Sequence, residues 1–179
     1  MIVVTGGARS GKSTFGESLL MDKKEVLYIA TSIPFDDEMK DRVKKHKESR
    51  PSRWDTLESY KAIGENIRSL QNTYEGIILD CVTIMITNLL IENIDENSEI
   101  DYRDIENMIM NEVKSMTNFF KEYEGEVVLI TNEVGSGIVP ENKLSREFRD
   151  IAGRVNQYLA REAEQVYLVV SGIPVKIKG

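Results

Sequence analysis

The chain carries 23 lysines and arginines against 30 aspartates and glutamates over 179 residues, a formal net charge of −7, which suits one domain with a proper core and offers no basic face to a nucleic acid. Cys81 and His46 are the only residues of their kinds, which excludes disulfides, zinc clusters and His-rich metal sites and leads us to expect a reducing, cytoplasmic setting. No charged leader precedes the first apolar run and no apolar run approaches membrane-spanning length, so neither export nor membrane insertion is expected.

Residues 2–5, Ile-Val-Val-Thr, form a short apolar, β-branched run suited to a buried parallel strand. Directly after it, Gly6-Gly7-Ala8-Arg9-Ser10-Gly11-Lys12-Ser13 matches G-x-x-x-x-G-K-[ST], and residues 13–21 read as the first helix. Strand, glycine loop and helix form the context in which such a loop binds polyphosphate. Glycines let backbone N–H groups turn inward, and the helix N-terminus adds positive potential. Lys12 reaches the outer phosphates and Ser13 offers a hydroxyl to Mg²⁺. A nucleoside triphosphate is the expected ligand.

Further strands are expected at residues 26–30, 77–80, 127–131 and 166–170. Helices are expected at 36–47, 60–71, 83–93, 102–123 and 143–163, most with apolar residues three and four apart. This alternation predicts a doubly wound α/β protein with a mostly parallel sheet flanked by helices, in one domain spanning 1–179. Residues 173–177, Ile-Pro-Val-Lys-Ile, suggest an antiparallel edge strand whose proline and lysine discourage further pairing. The polar, acidic residues 92–101 read as a surface loop.

In open α/β sheets ligands collect at the carboxyl ends of strands, and four such places carry candidate chemistry. Asp80 ends the apolar run Gly76-Ile-Ile-Leu-Asp80, where P-loop enzymes hold Mg²⁺ directly or through water; capping the next helix is the alternative. Ala30-Thr31-Ser32 ends the second expected strand, with hydroxyls for phosphate or nucleoside, or as a plain strand end before an acidic helix start. From Arg42 to Trp54 six cations surround His46. On a helix Met39, Val43 and His46 share a face, and neighbouring positive charge keeps an imidazole neutral, the form that attacks phosphorus. From the residues alone a structural histidine is the preferred reading. The fourth place, Thr131 to Asn142, has two glycines, a proline and several carboxamides and carboxylates. It reads as an active-site loop, with a turn and an Asn142 helix cap as the alternative. Beyond it Arg146, Arg149 and Arg154 read as members of an internal ion-pair network.

Together these stretches resemble one family. Gly6 to Ser13, Leu27 to Ser32, Asp36 to Met39 with His46-Lys47, Arg50-Pro51, Thr131 to Gly135, Gly137 to Asn142, Phe148 to Asn156 and Val169 to Gly172 are similar to the bifunctional adenosylcobinamide kinase/adenosylcobinamide-phosphate guanylyltransferases of cobalamin biosynthesis. The resemblance spans nearly the whole chain and implies a P-loop NTPase fold. It implies phosphorylation of the adenosylcobinamide hydroxyl by ATP or GTP. GMP then passes from GTP to adenosylcobinamide phosphate through a guanylyl-histidine, releasing pyrophosphate.

On that resemblance His46 becomes the nucleophile, reversing the preference drawn from the residues alone, with Lys12 as the second catalytic residue. The nucleotide site implied comprises Gly6, Gly7, Ala8, Arg9, Ser10, Gly11, Lys12, Ser13, Ala30, Thr31, Ser32, Lys47, Glu48, Ser49, Arg50, Glu58 and Asp80. Ser13 and Asp80 are the implied Mg²⁺ ligands, and a homotrimer is the implied assembly. Glu58 carries no signal of its own, and the family pattern has glutamate where this chain has Asp80, leaving that residue open between metal and guanine. Two other readings stand beside this one: a P-loop kinase of another small molecule without a covalent histidine, and a P-loop ATPase switch.

Overall fold

The computed structural model describes residues 1–32, 51–94 and 100–179. In chain order its elements are β1 (Ile2–Gly6), α1 (Lys12–Ser18), β2 (Val26–Ala30), β3 (Asp55–Glu58), α2 (Ile63–Ser69), β4 (Gly76–Asp80), α3 (Val82–Glu92), α4 (Tyr102–Glu122), β5 (Glu126–Ile130), α5 (Lys143–Glu162), β6 (Gln165–Val170) and β7 (Ile173–Lys178). The strands form a seven-stranded sheet in the order β3-β2-β4-β5-β1-β6-β7. Every pairing is parallel except β6 with β7, which is antiparallel. The α/β class, the mostly parallel sheet and the antiparallel edge all agree with the sequence reading. The helix expected at 36–47 falls on residues outside those described.

The central strands are apolar on both sides because both faces are covered. Val3, Leu27, Ile29, Ile77, Leu79, Val127 and Leu129 point to the face packed by α2, α3, α4 and α5. The alternate residues Ile2, Val4, Val26, Tyr28, Ile78, Val128 and Ile130 meet Phe15 of α1 and Leu19 just past its end, together with Trp54. Helix α1 comes close to the sheet at Gly16, where a Cβ would lie 3.0 Å from the Ile130 side chain. Helix α4 shows how pattern becomes packing. Ile105, Ile109, Val113, Met116 and Phe120 form its buried stripe, and Asp101 caps it by accepting hydrogen bonds from the N–H groups of Arg103 at 2.9 Å and Asp104 at 3.4 Å. Each large apolar side chain so buried is worth about 1.5–3 kcal/mol in transfer terms.

One strand lies outside the sequence expectation. Asp55–Glu58 pairs in parallel with β2, Leu27 opposite Asp55 and Ala30 opposite Glu58. Four residues of mixed exposure carry almost no periodicity, and the pairing partner supplies what the local pattern lacks. Helix α2 is correspondingly shorter than the expected 60–71, because Ala62 turns in the left-handed region (φ 49°) and the helix starts only at Ile63. The acidic loop begins after α3 ends at Glu92, and residues 95–99 are not among those described. Among the described residues no helix is long and apolar enough to cross a membrane.

Candidate active site

The phosphate loop connects the carboxyl end of β1 to α1. Gly6 is tightly enclosed: a Cβ there would lie 2.5 Å from the Val169 carbonyl oxygen and 2.7 Å from Ser10 Oγ. Gly11 has a left-handed backbone (φ 92°), which brings the chain round to start α1 at Lys12. Lys12 is buried, and its ammonium donates to the Gly7 carbonyl at 3.1 Å, curled back across the loop. Gly7, Ala8 and Arg9 stand exposed, while Ser10 Oγ is buried without a hydrogen-bond partner among the described residues. Ser13 sits on the first turn of α1.

Asp80 ends β4, level with Ile130 of β5 and Ala30 of β2. The capping alternative for it does not hold. Cys81 occupies the N-cap of α3, and the Asp80 carboxylate accepts instead from Tyr28 Oη at 2.7 Å. That bond occupies one carboxylate oxygen and fixes the side chain at the strand end. Beside it the Cys81 thiol is pushed up to about 11, first by burial and then by the Asp80 charge.

At the outer end of the sheet a cavity of about 480 Å³ is lined by Ala30, Thr31, Ser32, Glu58, Ser59, Tyr60, Lys61, Ala62 and Asn66. It brings together four residues expected in the nucleotide site: Ala30, Thr31, Ser32 and Glu58. The unanticipated strand β3 is what places Glu58 there, opposite Ala30. Thr31 is held in the cavity wall by its own hydrogen bonds. Its hydroxyl donates to the Cys81 carbonyl at 2.8 Å and accepts from the Cys81 N–H at 2.9 Å, and its own carbonyl accepts from Asn88 Nδ2 at 2.7 Å.

The remaining rim, from Ser59 to Asn66, was not legible as a site. Asn66 Nδ2 donates to Ser59 Oγ at 2.9 Å and the Lys61 carbonyl at 3.0 Å, so this turn holds its own shape. Glu92 of α3 braces it, taking Lys61 Nζ at 2.6 Å and Tyr60 Oη at 3.0 Å. These bonds raise the Lys61 pKa and lower that of Glu92. The strand order puts three inter-strand steps between β2 and β1, so the cavity stands ~14 Å across the sheet top from the phosphate loop at the usual strand spacing. His46, Lys47, Glu48, Ser49 and Arg50 lie outside the described residues. The described chain stops at Ser32, on the cavity wall, and resumes at Pro51 before β3.

The loop from Thr131 reaches the site at its start, where the Glu133 N–H donates to the Gly6 carbonyl at 3.1 Å. Further on, Asn142 caps α5 by accepting from the Ser145 N–H at 3.3 Å. The arginines of α5 are engaged as expected: Arg154 pairs with Glu106, and Arg149 with Asp150 at 3.2 Å. Arg146 instead donates to the carbonyls of Pro140 and Glu141, tying the loop to the helix.

Ser13 and Asp80 suit a divalent cation that keeps most of its waters, since Mg²⁺ in nucleotide sites takes one or two protein oxygens and fills its shell with phosphate and water. Asp80 accepts one hydrogen bond, from Tyr28 at Oδ2, and its other carboxylate oxygen has no hydrogen bond among the described residues. Among the described residues no cluster of three or more acidic, histidine or cysteine side chains could hold a metal by itself.

The family model described as cobinamide kinase / cobinamide phosphate guanyltransferase matches residues 2–177. The chain is 51% identical over 180 residues to the bifunctional adenosylcobalamin biosynthesis protein CobU of Escherichia coli, covering 99% of each chain. It is 51% identical, at the same coverage, to the protein of that name from Salmonella typhimurium. Among solved structures it is similar in fold to an ATPase of a bacterial type III secretion system, with a TM-score of 0.57 at 11% identity, covering 98% of this chain and 56% of that one. The chain belongs to the cobinamide kinase / cobinamide phosphate guanyltransferase family.

Proposed function

We propose that this chain, as a single catalytic domain, phosphorylates adenosylcobinamide with ATP or GTP and then transfers GMP from GTP to adenosylcobinamide phosphate, releasing pyrophosphate. The two activities are those of its family, and family membership over residues 2–177 is the observation that carries the reading. The phosphate loop binds the triphosphate, with Lys12 drawing off charge as phosphate or pyrophosphate departs. Ser13 and Asp80 hold Mg²⁺, whose chemistry when bound is to neutralise phosphate charge.

His46 attacks the α-phosphorus of GTP as a neutral imidazole, and the phosphoramidate is then attacked by the phosphorylated corrinoid. Lys47, Glu48, Ser49 and Arg50 flank it in the nucleotide site. Ala30, Ser32 and Glu58 receive the nucleoside in the 480 Å³ cavity. A carboxylate such as Glu58 accepts two hydrogen bonds from the N1–H and 2-amino edge of guanine, a pair of donors that adenine lacks. The chain works as a homotrimer. The exposed Ile173, Val175 and Ile177 of β7 leave an apolar edge that supports association.

The test of the reading is a two-stage assay with purified protein: adenosylcobinamide with γ-labelled ATP, then GTP. Labelled adenosylcobinamide phosphate followed by adenosylcobinamide-GDP and pyrophosphate is expected. ATP hydrolysis without a labelled corrinoid would favour the ATPase switch.

A further inference from the structure

Strand β5 lies between β1, which carries the phosphate loop, and β4, which ends in Asp80. Its first residues past the strand, 131–133, therefore emerge between the two halves of the phosphate site. Their backbone is pinned to the loop strand on one side: the Thr131 N–H donates to the Val4 carbonyl at 3.0 Å and the Glu133 N–H to the Gly6 carbonyl at 3.1 Å. On the other side a closed ring of hydrogen bonds fixes Asn132. The Asn132 N–H donates to Thr83 Oγ1 at 2.7 Å, and Thr83 Oγ1 lies 3.1 Å from Thr131 Oγ1. Thr131 Oγ1 donates to Asn156 Oδ1 at 2.7 Å, and Asn156 Nδ2 returns to the Asn132 carbonyl at 2.9 Å.

The direction of the ring follows from its donors. Thr131 has one hydroxyl hydrogen and gives it to Asn156, whose oxygen can only accept, so Thr83 donates to Thr131. Thr83 and Thr131 are buried, and α3, the segment just past β5 and α5 all contribute. Three elements thus immobilise the main chain of one residue. Its side chain is held much less: among the described residues the Asn132 carboxamide makes one long contact, Nδ2 to Cys81 Sγ at 3.8 Å.

We propose that Asn132 is a catalytic residue of the kinase step, its Nδ2–H donating to an oxygen of the phosphoryl group in transfer, and that Asn156 is a positioning residue that sets it. The inference rests on the reading that the loop holds the triphosphate used in that step. The corrinoid hydroxyl oxygen forms a bond to the γ-phosphorus, and the bond from phosphorus to the β,γ-bridging oxygen breaks. Its electron pair leaves on the nucleoside diphosphate, and the hydroxyl proton passes to solvent. Charge spreads over the equatorial oxygens during this passage, and a neutral donor carried on an immobilised main chain stabilises it. Asn132 emerges one inter-strand step, ~4.8 Å, from the strand that carries the loop.

The test compares Asn132→Ala, the isosteric Asn132→Asp and Asn156→Asp with wild type. For each, kinase kcat, ATP affinity, covalent guanylylation by α-labelled GTP and thermal unfolding are measured. Both Asn132 variants should lose about 100-fold in kcat, the scale of losing one donor to the transition state, with ATP affinity and guanylylation within about threefold. Asn156→Asp should lose less, and its kcat should recover as pH falls and the new carboxyl regains a proton to give the Asn132 carbonyl; wild type should show no such recovery. A folded Asn132→Ala with normal kcat, or a loss confined to ATP affinity, overturns the role of Asn132. An Asn156→Asp loss that ignores pH overturns the positioning role. Wild-type protein without kinase activity would instead sink the reading on which both rest.

Discussion

The main-chain N–H of Gly172 donates to the carbonyl of Ser10 at 2.8 Å, so the turn that closes the β6–β7 hairpin holds the phosphate loop from outside. The approach is close at Gly11, where a Cβ would lie 3.1 Å from the Gly172 Cα, while a Cβ on Gly172 would meet nothing within 4 Å. Gly11 has φ 92° and Gly172 φ 82°, so each needs the left-handed freedom of glycine. The antiparallel edge strand thus bears on the nucleotide site as well as closing the sheet.

Gly11→Ala should accordingly weaken nucleotide binding at least tenfold and lower unfolding free energy by about 1–2 kcal/mol, the cost of a side chain in the left-handed region. Gly172→Asn, which keeps the N–H and tolerates that region, is the control and should bind nucleotide nearly normally. Urea unfolding and nucleotide titration of both variants check this.

Lys12→Ala should reduce phosphorylation and guanylylation together, by about 100-fold each, because both need the triphosphate held and its leaving charge stabilised. Parallel assays of the two steps decide it. Normal guanylylation would restrict the loop to the kinase step.

Asn88 is a buried residue whose carboxamide serves the cavity wall, donating to the Thr31 carbonyl at 2.7 Å. Asn88→Ala leaves that buried carbonyl unpaired and should cost about 1–3 kcal/mol of stability. Since Thr31 adjoins Ser32 on the cavity wall, GTP affinity should fall with it, which equilibrium binding at a temperature well below unfolding would register.

Cys81 gives a pH signature. Its folded thiol is pushed up to about 11 from an ordinary 9.0 by burial and by Asp80. Between those values the unfolded chain gives up the proton and the folded chain keeps it. The unfolded state then binds fewer protons, so stability falls as pH rises, by up to about 1.4 kcal/mol per pH unit from this group. Below pH 9 the contribution is complete. Cys81→Ala should flatten that part of the curve, and folded wild type should resist alkylation at pH 8 until it is denatured.

The sequence made some of this legible and concealed the rest for identifiable reasons. The loop at Gly6 to Ser13 reads directly because its chemistry is consecutive, and the central strands read because both their faces are apolar. Strand β3 did not, because Asp55–Glu58 is four residues long with exposed ends, and its order comes from pairing with β2. The Tyr60 to Asn66 rim did not either, since it depends on a left-handed Ala62, a conformation no glycine marks. The ring through Thr83, Thr131 and Asn156 joins residues of three distant elements. Its available signal was a half-buried carboxamide beside Ala152, Val155 and Leu159 at the margin of the buried stripe of α5, where an apolar side chain would be ordinary.

The central claim is that His46 carries GMP between GTP and the corrinoid. Purified protein is incubated with Mg²⁺ and GTP labelled at the α-phosphate, quenched in base, and examined for label on the chain, with His46→Ala alongside. Acid-labile, base-stable label on wild type and none on the folded variant is the expected result. Wild type that binds GTP yet takes up no label, or a variant labelled as strongly as wild type, would contradict it.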